Sequence, residues 1–467
     1  MSVKIELMKT IPTIESTSSW LRAIRQINAL FRPLEFTEKR SQKYGDFYQI
    51  VFKDAPPTLI TSNPQAIEDI FTASPDKFVV GKGNQGLSFL VGDNSLLLLD
   101  GKKHKSRRRL LMPPFHGESL QKCNQRIVDI TNQVCSRLEI NQSFNVRSLM
   151  QEITMGVILS VIFGINSENR CGCEPSSRNR LQELLTNLLE TFNNPLNSSL
   201  IFFPILQKDW GKFSPWGNFL RLKQEIKNLI YSEIDKRRDL IASGEFEGKD
   251  ILTLLLLAKD EKGEKMTNEE LHDELITLLF AGHETTASAL AWVFYWVHYL
   301  PEIQEKLRFE LNIWREGLGN CNINQLTYLN AVISETLRIY PIAAGAFPRI
   351  MTKSMSVMGY DFDPNTWVII SIYALHHRED LYPDSKKFDP QRFLERTYSN
   401  YEYIPFGGGN RRCIGSALAL IEMKLVTATI LANFELKLVK HRPMTPVRRG
   451  LTVAPPAAFK MIVKNRS

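Results

Sequence analysis

Apolar residues recur three and four positions apart along most of this chain, the spacing that lays them on one face of a helix. From Leu110 to about Ala258 the pattern is nearly continuous, as in Leu181, Leu184, Leu185, Leu188 and Leu189. Thr267-Asn268-Glu269-Glu270 opens a long helix that runs to about Tyr299, with Thr267 and Glu270 at capping-box spacing. Pro301 starts the next helix, since a first-turn residue needs no amide hydrogen. A further helix is predicted over Ser416 to Ala432. Strand-like segments are fewer. They cover Phe47 to Phe52 and Pro57 to Thr61, after a helix end at Lys43-Tyr44-Gly45-Asp46. Short strands return between Arg349 and Ile372, broken by turns at Met358-Gly359 and Asp363-Pro364. The pattern predicts a mainly α fold with minor β and no internal repeat.

At 467 residues, a prior of roughly 150 residues per domain suggests two or three domains. No Gly/Ser-rich or Pro-rich linker divides the chain, however, and a hydrophobic content of 43% supplies one large core. One domain over residues 30–467 is therefore expected, after a lead-in segment of residues 1–29. The polar patch Asn166 to Arg180 reads as a surface loop. Met1 to Leu30 holds neither the apolar core of a signal peptide nor a membrane-length span. Apolar runs such as Leu254 to Ala258 are far too short to cross a bilayer. A cytoplasmic monomer without a membrane anchor is the expectation. Six scattered cysteines fit a reducing compartment, and Cys171 and Cys173 lack partners at metal-ligand spacing.

The net charge of +8 changes the picture only through its distribution. Lys102, Lys103, Lys105, Arg107, Arg108 and Arg109 crowd around His104, and Arg411-Arg412 add to a second basic site. No aromatic interleaving or nucleic-acid motif accompanies them, so nucleic acid is not an expected partner. A solvated helix face explains the run, and so does docking of an acidic protein, which electrostatic steering favours.

Candidate chemistry lies at Phe406-Gly407-Gly408-Gly409-Asn410-Arg411-Arg412-Cys413-Ile414-Gly415. Cations and a following helix N-terminus stabilise a thiolate, and three glycines let a large planar group approach the backbone. A structural thiol capping a helix is the plainer reading, but it does not require so long a pattern. In the long helix, Ala281-Gly282-His283-Glu284-Thr285-Thr286 places Ala281 and Thr285 on one face, with an acid beside the alcohol. This suits close helix packing with a back-bonded threonine, or a proton relay. A zinc-protease reading of His283-Glu284 fails because residue 287 is Ala. Glu335 and Arg338, three apart, would alone be an ordinary surface ion pair. Gly81-Lys82-Gly83-Asn84-Gln85-Gly86 satisfies the dinucleotide fingerprint with Asp100 downstream, but Gly92-Asp93-Asn94 interrupts the helix that should follow. A flexible loop is expected there instead.

The spacing Phe-x-x-Gly-x-Arg-x-Cys-x-Gly resembles the haem-binding loop of the cytochrome P-450 family, the haem-thiolate monooxygenases. With the other motifs in family order, the resemblance covers about residues 30 to 465 and suggests a soluble, bacterial-type member. It implies haem b as cofactor, with Cys413 as axial ligand of the iron and Phe406 packed beside it. It implies that Arg411, Arg349, His104 and Arg108 hold the haem propionates; His at 104 replaces a Trp common in membrane-bound relatives. Ala281-Gly282-His283-Glu284-Thr285-Thr286 is similar to the family's oxygen-binding helix, which implies that Glu284 and Thr285 deliver protons. Glu335 and Arg338 would be buried, completed by Arg392 of Phe388-Asp389-Pro390-Gln391-Arg392-Phe393, and would brace the wall carrying the cysteine loop. Gln391 stands where the family often has Glu.

The implied activity is monooxygenation of a hydrophobic small molecule with O2 and two electrons. The electrons would come from an acidic carrier of the ferredoxin or flavodoxin type and its reductase. Family order points to Phe89, Leu90, Phe280, Ala281, Ala343, Ala344 and Leu451 as pocket residues, which suits a terpenoid or a fatty acid; core packing would explain each singly. Rival classes are a peroxygenase or isomerase acting on peroxides, and a non-catalytic haem sensor or electron carrier.

Overall fold

The computed structural model describes residues 11–16, 32–52, 55–115, 117–121, 123–164, 175–193, 209, 211, 214–244, 250–316, 323–450 and 452–466. Its centre is the helix Asn268–Tyr299, whose start follows from the capping box. Thr267 Oγ1 accepts from the Glu270 amide at 3.2 Å, and Glu270 Oε2 accepts from the Thr267 amide at 3.0 Å. Nearly every residue from Leu271 to His298 is buried, against Val146–Phe163 on one side and Ser416–Asn433 and Thr327–Ile339 on others. A Cβ on Gly282 would stand 2.7 Å from Ile158 Cδ1, so the mid-helix glycine lets the two helices approach closely. Its propensity cost of about 1 kcal/mol is offset by that packing.

Val146–Phe163 and Ser416–Asn433 are long and apolar enough to span a bilayer by composition, where the sequence reading noted only short apolar runs. With 83% and 61% of their residues inside the protein, they are core helices. The patch read as a loop from Asn166 to Arg180 divides: residues 175–180 begin the helix Pro175–Asn193, and Cys171 and Cys173 lie outside the described residues.

Strands are minor. A six-stranded sheet runs, in spatial order, Thr13–Ser16, Phe47–Phe52, Ala55–Thr61, Trp367–Ile370, Arg349–Met351 and Phe78–Val79. Thr13–Ser16, inside the segment read as a lead-in, pairs in parallel with Phe47–Phe52. Positive φ at Met358 and Gly359 closes the hairpin of Met355–Val357 and Tyr360–Phe362.

The segment read as a flexible loop is built and anchored. Lys82–Leu87 forms a 3-10 turn and Ser88–Val91 a short helix. Asp100 accepts from the amides of Val80, Gly81 and Lys82 at 2.8, 3.0 and 3.3 Å, so this acid organises its own loop. Farther on, Asp273 accepts from the Asn94 amide at 3.0 Å, and Glu274 from the Leu96 amide at 3.3 Å. Lys223 Nζ donates to the Phe89 carbonyl at 2.5 Å. Arg107, counted above with the basic surface run, is instead buried and paired with Glu270 at 2.7 Å and Glu274 at 3.1 Å.

Three buried histidines give the core a pH dependence. Burial pushes His283 and His298 down to about 4 and His376 down to about 3. An unfolded histidine titrates near pH 6.5. Below that pH the unfolded chain takes up protons the folded core refuses, so stability is full above about 6.5 and falls as pH drops toward 4. The slope is up to about 1.4 kcal/mol per pH unit for each histidine. Urea midpoints measured between pH 7.5 and 5 should fall with acidification; a flat or rising trend would contradict this.

Candidate functional site

The cysteine loop is a compact turn. The Cys413 amide donates to the Phe406 carbonyl at 3.0 Å and the Gly407 amide to the Ile404 carbonyl at 2.9 Å. Gly407 and Gly409 adopt positive φ, which a side chain would strain. Gly408 serves a different purpose from the one expected: a Cβ there would stand 2.1 Å from the Phe71 ring, so it admits Phe71. Gly415 ends the turn and precedes the helix Ser416–Asn433.

Cys413 is exposed as a residue, while protein surrounds its thiol closely. Burial pushes its pKa up, and the Gly415 amide, Arg108 and Arg412 only partly oppose this. The expectation that the loop alone holds the sulfur deprotonated is thereby corrected: desolvation outweighs the cations. A metal ion at the sulfur reverses the balance, because a coordinated thiol is deprotonated outright.

Basic side chains gather near this sulfur. Arg411 donates to the Leu99 carbonyl and to Asp100 Oδ1, each at 2.6 Å, and its Nε is buried without a partner. Arg349 is buried, donates to the carbonyl of Gly408 at 3.2 Å and lies over the Phe71 ring. Burial and Arg411 push Arg349 down to about 10. His104 is buried and pushed down to about 4, first by burial and then by Arg411 and Arg108. Arg108 is half-buried, and burial lowers its pKa as well. Asp100 is the carboxylate that faces this group; Arg349 and Arg108 make no ion pair among the described residues. Several arginines sharing one protein carboxylate, beside one soft sulfur ligand, suit an iron-bearing dianion such as haem.

Near its middle, the central helix breaks its run of buried residues. Ala281 is exposed and Phe280, Gly282 and Thr285 are half-exposed, while His283 and Glu284 on other faces are buried. Thr285 Oγ1 donates to the Ala281 carbonyl at 2.6 Å, which leaves its lone pairs free to accept. Packing and open groove therefore coexist on different faces of one hexapeptide. Glu284 points toward Val146–Phe163, where Arg147 and Gln151 take its two oxygens, Gln151 at 2.9 Å. Acid and alcohol thus make no hydrogen bond to each other. Ala343 and Gly345 are exposed and Ala344 half-exposed; the segment is pinned by the Tyr373 amide on the Ala344 carbonyl at 3.0 Å. Phe89 packs against Trp216 and Phe219, whereas Leu90 is buried in the core. Phe406 packs against the same core, and Leu451 lies outside the described residues.

Glu335, Arg338 and Arg392 meet in one cluster. Glu335 accepts from Arg338 Nε at 2.6 Å and Nη2 at 2.8 Å, from Arg392 Nε at 3.1 Å and from the Asp389 amide at 2.9 Å. Glu335 and Arg338 are fully buried, so the surface-pair reading does not hold. Lys102, Lys103, Lys105, Arg109 and Arg412 are exposed. Sequence reasoning missed Arg147 and Gln151, because nothing local to residue 147 points to an acid more than a hundred positions away.

A family model described as cytochrome P450 matches residues 21–463. Cytochrome P450 135B1 of Mycobacterium tuberculosis is 32% identical over 445 residues, 95% of this chain and 89% of that one. Cytochrome P450 138 of the same organism is 30% identical over 450 residues, covering 94% and 95% of the two chains. Among solved structures, the retinoic-acid-bound cyanobacterial CYP120A1 superposes with a TM-score of 0.78 at 24% identity, covering 94% of this chain and 96% of that one. The cytochrome P450DA heme domain superposes with a TM-score of 0.80 at 20% identity, covering 98% of each.

Two neighbouring glycines test how the anchored segment depends on close approach. A Cβ on Gly81 would lie 1.9 Å from the Leu98 carbonyl oxygen, a rigid backbone atom, whereas Gly86 has open space. Gly81→Ala is expected to cost about 1–3 kcal/mol by overpacking, and Gly86→Ala less than about 0.5 kcal/mol. Thermal melts of both variants check this; equal midpoints would remove the packing argument.

Proposed function

The chain belongs to the cytochrome P450 family and is a haem-thiolate monooxygenase, and from that premise we propose that it hydroxylates a terpenoid or a fatty acid. Its cofactor is haem b, and it acts with O2, an organic substrate and redox partner proteins. The observation that carries the substrate class is that Ala281, Ala343 and Ala344 are small, apolar and open, with Phe280 and Phe89 half-exposed; we assign all five to one pocket wall. Small residues there leave room for a bulky or cyclic skeleton. Leu90, buried in the core, would support this wall from behind. Leu451 belongs to the same proposal on sequence grounds.

Haem b, when bound, supplies the oxygen-activating chemistry, and the protein supplies position, field and protons. Cys413 is proposed as the axial ligand and Phe406 as the residue packed beside it. His104, Arg108, Arg349 and Arg411 would hold the propionates; the charge of Arg349 and Arg108, unpaired among the described residues, supports this, and His104 would serve as a neutral hydrogen-bond partner. Thr285, donating to its own helix, presents lone pairs that can accept from a proton donor in the groove. Glu284 would supply protons after leaving Arg147 and Gln151, so these two side chains set how readily it does so. Glu335, Arg338 and Arg392 would brace the wall behind the loop. The exposed Lys102, Lys103, Lys105, Arg109 and Arg412 suit docking of an acidic ferredoxin or flavodoxin. We assign residues 30–467 to the haem domain, with the strand Thr13–Ser16 of the lead-in segment joining its sheet, and expect a cytoplasmic monomer.

A panel of fatty acids and terpenes, screened for the haem spin-state change on binding, tests the substrate class; silence across both would overturn it. Turnover with NADPH, carrier and reductase should exceed turnover with hydrogen peroxide alone, and the reverse would favour a peroxygenase. Cys413→Ala should abolish the thiolate-type carbon monoxide band from which the family takes its name. Thr285→Ala should keep haem but release peroxide in place of product, by about 10-fold or more. Arg147→Met should change coupling several-fold with the carbon monoxide band intact; unchanged coupling would leave the Arg147–Glu284 pair a purely architectural contact.

A further inference from the structure

The buried cluster proposed as a brace does not touch the loop it is meant to support. Arg338 donates to the carbonyls of His376, Ser385 and Lys387 at 2.7, 2.8 and 3.2 Å. Arg392 donates to Pro383 and Lys387, and Glu335 accepts from Asp389. Among the described residues, none of these bonds reaches residues 404–413. Something else must carry the rigidity of the cluster to the cysteine.

His376 stands at that junction. It closes the short helix Ile372–His376 and is 0% exposed. Its carbonyl takes Arg338 Nη1, and its ring Nε2 accepts from the Ile404 amide at 3.0 Å. Nδ1 is buried near the carbonyls of Leu337 and Arg338 without a well-formed bond. The ring stacks on Tyr403, centroids 5.3 Å apart, and meets Tyr382 edge-on at 6.3 Å. Tyr403 in turn donates to the Ser334 carbonyl at 2.9 Å. From Ile404 the bonds continue through its carbonyl to the Gly407 amide, and from Phe406 to the Cys413 amide.

We propose that His376 is a positioning residue for the cysteine loop: its imidazole accepts the Ile404 amide and thereby fixes the start of the loop to the Glu335–Arg338 cluster. The position demands an acceptor that is uncharged, compact and flat. The Ile404 amide is buried, and leaving it unpaired costs about 1–3 kcal/mol. A carboxylate beside Arg338 would compete with Glu335, and an aliphatic side chain would leave the amide without a partner. A neutral imidazole meets all three conditions while filling the gap between Tyr382 and Tyr403. The next residue, Pro405, has no amide hydrogen, so the Ile404 amide is the last donor before the turn itself. This rests on Cys413 being the haem ligand.

The test uses the full-length, haem-loaded protein and its haem-free form. In the wild type, hydrogen exchange at the Ile404 amide should be among the slowest in the chain, with or without haem; rapid exchange would overturn the tether before any variant is made. His376→Leu should speed exchange at Ile404 at least 10-fold and lower the share of the thiolate-type carbon monoxide band several-fold. His376→Gln, which keeps an acceptor, should restore most of both, whereas a role in packing alone would leave the two variants alike. A His376→Leu protein with an unchanged band and slow exchange would refute the proposal. Cys413→Ala separates the two readings: if it kept the band, the ligand assignment would fall, and if it lost the band while His376→Leu did not, only the tether would fall.

Discussion

Buried positive charge is the constraint on which the rest of this structure turns. Taking a guanidinium out of water costs several kcal/mol unless an anion meets it. Through most of the core that condition holds: Arg107 meets Glu270 and Glu274, Arg147 meets Glu284, Arg237 meets Glu233 and Asp250, and Arg338 meets Glu335. Near Cys413, among the described residues, it is met at Arg411 alone, by Asp100. Arg349 makes do with carbonyls and the Phe71 ring, and burial drags down both it and His104. A site built this way gains from binding a dianion, and it gains most from one that also brings a cation to the sulfur.

The same logic explains why the cysteine is not a ready-made thiolate. Enclosure raises the cost of charging it, and the nearby amide and arginines do not recover that cost. The loop fixes where the sulfur sits, and a metal-bearing group bound there would determine its ionisation. Position is then the protein's main lever, which gives weight to the chain of bonds from Glu335 through Arg338, His376 and Ile404 to the turn. Each link is a buried polar group that must find its partner or lose stability, so the loop has little freedom.

The central helix combines close packing and an open face in one short segment. Gly282 lets Ile158 in, Ala281 and Thr285 face the open side, and Glu284 turns to a third direction. Close packing on one face leaves another face open, because successive helix residues point about 100° apart. Glu284 is not hydrogen-bonded to its neighbour Thr285. Its partners belong to another helix, and they hold it away from Thr285.

What the sequence by itself determined is what short-range chemistry encodes. The capping box at Thr267 and Glu270 set the start of the central helix, the proline at 301 opened the next, and the glycines at 407 and 409 marked a turn no side chain could follow. The order of motifs sufficed for the family. Tertiary structure decided what depends on distant partners meeting: that Asp100 organises its own loop and Arg411 instead of a dinucleotide, that Arg107 leaves the basic surface, that Gly408 admits Phe71, and that Arg147 takes Glu284. Burial decided the rest. Whether a charge is matched, a thiol ionised or a histidine neutral depends on how much water the fold removes from it, and no local pattern states that.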